Sequence, residues 1–218
     1  DIYVTSEVLP GSGLSSSASF EVMIGNVFNH LFFDDKCTPV ELAQIGQWSE
    51  NNYYGKPCGL MDQTACSVGN FIGIDFKDPA DPTVRKLEFD FEKSGHSVCV
   101  IDSGANHAKL DDEYAAITSE LRAVCKVFGK EYLREVDEDE FYSRIADVRT
   151  AAGDRAVLRA IHVFNENKRV AMQSDALEKG NFDTFLKLAT ESGLSSWRLL
   201  QNVIICGSSD HQEVALLK

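Results

Sequence analysis

The sequence predicts an α+β fold, mixed α/β in its first part and mostly helical in its second. Three observations carry that expectation. A β-branched run at residues 2–9 (IYVTSEVL) leads through a Gly/Ser turn into a helical pattern. Two apolar runs, 71–76 and 84–91, flank a PADP turn. From Lys109 onward helical periodicity dominates. The change of pattern near residue 95 suggests a boundary there, giving parts 1–95 and 96–218.

Each element has its own local reason. Residues 2–9 alternate enough to form a strand, and PGSG turns the chain. A helix then begins near Ser16, where Phe20, Met23, Val27, Phe28 and Leu31 recur at helical spacing. A second helix starts at Thr38, because Thr38-Pro39-Val40-Glu41 supplies an N-cap, a proline at the first helical position and a glutamate at the third. Leu42, Ile45 and Trp48 continue its apolar face, and Trp48 and Trp197 are expected as core anchors. A polar loop, NNYYGKPCGLMDQ, leads into a short helix. After the two strands, Val98–Ile101 is a further short strand, followed by long helices near 109–128, 154–179 and 181–200. The acidic run Glu135 to Glu140 surrounds a helix start, with Asp137 as its cap. His162 lies in an amphipathic helix as a packing or interhelix hydrogen-bonding residue.

Composition excludes several function classes. The chain has 218 residues, 44% hydrophobic and 25% charged, which suits a globular protein with a real core rather than a disordered one. No apolar run approaches the length that crosses a bilayer. A net charge of −13 without a basic patch argues against nucleic-acid and anionic-membrane partners. The six cysteines lack CxxC spacing and sit in apolar contexts, so buried free thiols in a reducing, cytoplasmic compartment are expected. His96, His107, His162 and His211 are too widely spaced to suggest a metal site.

Two segments carry chemistry. In Pro10-Gly11-Ser12-Gly13-Leu14-Ser15-Ser16-Ser17-Ala18 a Gly/Ser loop opens a helix. Glycines allow close backbone approach, helix-start amides point outward, and the helix dipole favours negative charge, all of which suits a polyphosphate. Serine hydroxyls add hydrogen bonds or bind magnesium held by the same phosphate. The loop is not a P-loop, since no Lys-Ser/Thr pair follows the glycines, and it is not GxGxxG. An ordinary glycine turn with a serine N-cap accounts for it equally well.

The second segment, Glu50-Asn51-Asn52-Tyr53-Tyr54-Gly55-Lys56-Pro57-Cys58-Gly59-Leu60-Met61-Asp62-Gln63, brackets a turn with two carboxylates. Asp62 after Gly59 suits orienting or deprotonating a hydroxyl, and Glu50 suits a metal. Taken alone, the segment favours a plainer account, a surface helix end and an N-capping aspartate.

Together, PGSGLSSSAS and ENNYYGKPCGLMDQ closely resemble the galactokinases, a branch of the GHMP family of small-molecule kinases. The Gly-Leu-Ser-Ser-Ser-Ala loop points to the family, and Cys-Gly-Leu-Met-Asp-Gln to the branch. Asp111-Asp112-Glu113-Tyr114, Arg155–Val170 and Ser192–Asn202 extend the resemblance along the chain. It implies a two-domain GHMP kinase architecture, with a first part like ribosomal protein S5 domain 2 and a helix-rich second part, incomplete at both ends. It also implies ATP and Mg2+ as cofactors and galactose as the substrate, phosphorylated at its anomeric hydroxyl. Gly11, Ser12, Gly13, Leu14, Ser15, Ser16 and Ser17 would wrap the ATP phosphates. Ser17 and Glu50 would hold Mg2+, Asp62 would be the catalytic base, and Gly59, Asp62 and Tyr114 would contact the sugar.

The resemblance has departures. Family segments that supply sugar contacts, an arginine beside the base and a C-terminal Gly-rich loop lie outside this sequence, so weak or no turnover is expected of the 218-residue chain itself. A missing sheet edge would expose backbone groups and favour self-association. The Ser192-Gly193-Leu194-Ser195-Ser196 turn lacks a histidine often found in relatives. Three other readings remain open: a kinase for another hexose or an N-acetylhexosamine, a non-catalytic galactose- and ATP-binding regulator, and a truncated fragment that folds but binds no ligand. Retention of Ser17, Ala18 and Asp62 favours the enzyme.

Overall fold

Capping and periodicity place most helices where the sequence puts them. The computed structural model describes residues 3–8, 13–55, 58–78, 80–101 and 111–203, with the backbone alone for 111–114. The chain is helix-rich, with a small antiparallel sheet among the described residues. It divides into two compact units, Asp1–Glu88 and Phe89–Lys218.

In the first unit α1 (Ser16–Phe32), α2 (Pro39–Trp48) and α3 (Met61–Val68) pack against one another. Helix α2 starts at a complete capping box. The Thr38 hydroxyl accepts the Glu41 backbone N–H at 3.2 Å, and the Glu41 carboxylate accepts the Thr38 N–H at 2.7 Å. Helix α2 runs into a π-helical turn, Ser49–Tyr53, which inserts an extra residue per turn. Strands β1 (Phe71–Asp75) and β2 (Thr83–Leu87) pair antiparallel, Phe71 opposite Leu87 and Asp75 opposite Thr83. Ala18, Val22, Leu42, Ala43 and Leu60 are buried.

The second unit contains α4 (Asp111–Val127), α5 (Glu138–Ser143), α6 (Ile145–Ala152), α7 (Asp154–Glu178) and α8 (Phe182–Ser195), then a second π-helical turn, Ser196–Leu200. Asp137 caps α5, accepting the Glu140 N–H at 2.9 Å, as its sequence context predicts. Val124, Phe141, Val148, Ala160 and Phe164 form one continuous core. The Phe182 ring stacks on Phe89 and Phe185 and meets Phe91 edge-on.

Several expectations are corrected. The strand expected at 2–9 is not formed over the described residues 3–8, and Val98–Ile101 is not a strand. A strand exists only against a hydrogen-bonded partner, and among the described residues nothing pairs with either segment. Strand β2 stops at Leu87 rather than 91. Trp48 and Trp197 are exposed rather than core anchors, at 64% and 57%. Helix α1 forms, but Phe20, Phe28 and Leu31 lie on its open side while Ala18, Val22 and Asn29 are buried. Cys37, Cys58, Cys66, Cys99 and Cys125 are free thiols, but only Cys125 of these is fully buried. Cys206 lies outside the described residues.

Candidate functional site

The chemistry-bearing segments converge within the first unit. Gly13 and Ser15 both have positive φ, 75° and 57°, so the chain reverses sharply into α1. Glycine tolerates this conformation freely, whereas a serine there is uncommon and strained. Ser15 holds the N-cap position, yet its side chain makes no cap hydrogen bond. Its hydroxyl instead donates to Asp62 Oδ2 at 2.7 Å, spanning 47 residues of sequence. The outward amides of the first turn of α1 are therefore not taken by a side-chain cap, and they retain the electropositive character of a helix start.

Asp62 sits in the first turn of α3 and is half-buried. It is not the N-cap of that helix; Leu60 occupies that position. The loop before α3 is tied down by Asn51. Its Oδ1 accepts the Cys58 N–H at 2.6 Å, and its Nδ2 donates to the Cys58 carbonyl at 3.3 Å, which also accepts from Gln47 at 3.2 Å. Thr64 adds a hydroxyl bond to the Leu60 carbonyl at 2.8 Å. These bonds fix where α3 begins, and hence where Asp62 stands.

Glu50 lies on the π-helical turn and is buried, at 4% exposure. A buried carboxylate needs partners. Gln63 Nε2 donates to Glu50 Oε2 at 3.1 Å, and Cys58 lies beside the same carboxylate. Burial first, then the Glu50 carboxylate, push the Cys58 thiol above its ordinary value, with Gln63 opposing. Ser17, Glu21 and Glu50 line one cavity of about 680 Å³, whose walls include Phe20, Phe28 and Ile45.

The expected site residues thus fall into three groups. Ser15 and Asp62 are bonded, and Ser17 and Glu50 line the same cavity. Gly13, Leu14 and Ser16 belong to the same turn, and Gly59 lies in the loop before α3 with open space where a Cβ would stand. Gly11, Ser12 and the side chain of Tyr114 lie outside the described residues; the Tyr114 backbone belongs to α4, in the second unit. Gln63 and Glu21 were not expected. Glu21 follows Ser17 by one helical turn, so the shared face was readable from spacing. Gln63 had no signal beyond adjacency to Asp62.

The donor set suits a hard divalent cation. A serine hydroxyl and a buried carboxylate share one cavity, and Mg2+ characteristically takes one or two protein oxygens and completes its shell with phosphate and water. Among the described residues no cluster of three or more His, Cys, Asp or Glu forms a site that binds metal unaided.

Comparison with known proteins gives the relatives of the chain. Residues 1–70 match the family model "GHMP kinases N terminal domain". The chain is 34% identical over 180 residues to the galactokinase of Actinobacillus pleuropneumoniae serotype 3, covering 82% of this chain and 45% of the relative. The chain is galactokinase-like, and its residues 1–70 carry the GHMP kinase N-terminal domain. The galactokinase of Clostridium tetani is 33% identical over 203 residues, covering 89% of this chain and 50% of the relative. A crystal structure of Lactococcus lactis galactokinase complexed with galactose matches with a TM-score of 0.64 and 26% identity, over 89% of this chain and 50% of that one. The chain therefore spans about half the length of the relatives it matches. Among the described residues no helix is long and apolar enough to cross a membrane.

Proposed function

We propose that the chain carries the ATP- and Mg2+-dependent phosphoryl-transfer site of a galactose kinase. The observation that supports this most is the Ser15–Asp62 bond, which places the carboxylate against the very loop whose helix start suits phosphates. An acceptor oxygen and a phosphate cradle are then adjacent, as direct transfer to a hydroxyl requires.

In this reading Asp62 accepts the proton of the sugar's anomeric hydroxyl as that oxygen attacks the γ-phosphorus. The bond to the leaving β-γ bridging oxygen breaks, and ADP departs. The Ser15 hydroxyl, by donating to Oδ2, orients the carboxylate. The amides of Gly11 to Ser17 and the α1 dipole hold the phosphate oxygens. Ser17 and Glu50 are the residues that would hold Mg2+, which supplies charge neutralisation on the transferred phosphoryl group. Gly59 leaves backbone room for the sugar.

Galactose as the acceptor is supported by the names of the relatives, and the free thiols fit a reducing compartment. An ADP-release assay with Mg·ATP and a panel of galactose, glucose, N-acetylgalactosamine and galacturonate tests the assignment. Slow release with galactose above the rest, giving galactose 1-phosphate by phosphorus NMR, is expected. Preference for another sugar would replace the substrate, and sugar-independent release would remove the kinase reading.

A further inference from the structure

We propose that Gln63 is a positioning residue of the cation side of this site, holding the Glu50 and Glu21 carboxylates in one frame with Asp62. The inference rests on the kinase reading and deepens it. Gln63 is 1% exposed, and its Nε2 lies 3.1 Å from Glu50 Oε2, 3.3 Å from Glu21 Oε2 and 3.5 Å from Cys58 Sγ. Carboxylates only accept, so the amide nitrogen must face them, and its two hydrogens match two carboxylates.

The three residues come from three elements: Glu21 from α1, Glu50 from the π-helical turn, and Gln63 from α3. Helix α2 closes in on the junction at Gly46. A Cβ there would stand 3.4 Å from Glu21 Oε2 and 3.5 Å from Gln63 Cγ. Gln63 is also the chain neighbour of Asp62, so one turn of α3 carries the hydroxyl-facing carboxylate and the clasp on the cavity-side ones.

The choice of side chain is informative. An amide donor orients both carboxylates without itself adding charge, whereas a lysine or arginine at this position would add one.

The test is titration calorimetry of the chain with ADP, in Mg2+ and in EDTA, for wild type, Gln63→Met, Glu50→Gln and the double variant. Gln63→Met keeps the volume and removes the donor. It is expected to weaken ADP binding about tenfold in Mg2+, equivalent to about 1.4 kcal/mol, and less than about twofold in EDTA. On the Glu50→Gln background the same change is expected to cost less than about twofold, because Gln63 acts through that carboxylate. Equal loss in Mg2+ and EDTA, or full loss on the Glu50→Gln background, overturns the proposal. Where circular dichroism shows Gln63→Met unfolded, Gln63→Lys replaces it. That variant retains a donor but cancels charge, so the gain from Mg2+ is expected to vanish while EDTA binding stays; a wild-type gain overturns the proposal. Wild type that binds ADP with Gln63→Met unchanged defeats this inference alone. Wild type that binds no ADP under either condition defeats the kinase reading and this inference with it.

Discussion

The two units use buried polar groups for different ends. In the first, the polar contacts join the candidate site residues: Ser15 bonds Asp62, and Gln63 bonds Glu50 and Glu21, which line a cavity with Ser17. In the second, they join helices. Arg159, 1% exposed, donates to Glu120 at 2.9 Å and to the Leu200 carbonyl at 3.0 Å, and Arg155 grips the other oxygen of Glu120. This pins α4 and the Ser196–Leu200 turn to α7. His162 on α7 meets the Ser195 hydroxyl on α8 at 2.9 Å, and Glu166 is held by Arg169 and by Ser192 at 2.8 Å. Serine, histidine and glutamate come together there, but Ser195 and Glu166 both face Nδ1 of the histidine, Glu166 at 3.9 Å. A nucleophile relay needs the two partners on opposite ring nitrogens, so the cluster is an interhelix clamp rather than a catalytic triad.

If the division is real, function and stability separate by unit. The largest effect is expected from Asp62→Asn, which keeps an oxygen for Ser15 to bond while removing the base. Turnover should fall about 10²–10⁴-fold with little change in the urea midpoint. A comparable loss of stability would blur the contrast. Phe141→Ala is the converse. That ring is fully buried at the centre of the second core, and its truncation should cost about 3–5 kcal/mol by urea denaturation. Arg159→Met should cost about 1–3 kcal/mol, because the Leu200 carbonyl loses its donor while Arg155 stays on Glu120. Thr38→Ala should cost about 1 kcal/mol, since it removes one half of the α2 capping box.

The smallest effect is a pH dependence confined to the second unit. Burial, then the Arg169 guanidinium, hold the His162 imidazole below its ordinary value. As pH falls the unfolded chain takes up the proton before the folded one does. The stability that His162 contributes is therefore complete above the unfolded value of about 6.5 and is lost as pH drops below it towards the lower folded value. Melting curves at stepped pH should show this decline, and His162→Gln should flatten it. An unchanged decline in that variant would assign it to other groups.

Local signals were legible in the sequence where they are self-contained. The Thr38 box, the Asp137 cap and the long helical periodicities need only neighbouring residues, and each element formed. Strands need a partner, so residues 3–8 and Val98–Ile101 did not form them despite favourable composition. Periodicity found the apolar stripes of α1 and α2 but not what they face, so the exposure of Phe20 and Phe28 on α1 and of Trp48 on α2 was not legible. At the site, family resemblance pointed to Asp62, Glu50 and Ser17. The bond from Ser15 to Asp62 joins residues too far apart in sequence for any local pattern to register. Gln63 was invisible for the same reason: its partners lie 42 and 13 residues away.

The central claim is that the Ser loop and Asp62 form a site for phosphoryl transfer to galactose. Single-turnover transfer from γ-labelled ATP to galactose, with the chain in excess over nucleotide, measures that chemistry even when it is slow. The account predicts Mg2+-dependent label on galactose with wild type and none above background with Asp62→Asn. Transfer that persists in Asp62→Asn, or nucleotide that binds without any label reaching the sugar, would contradict it.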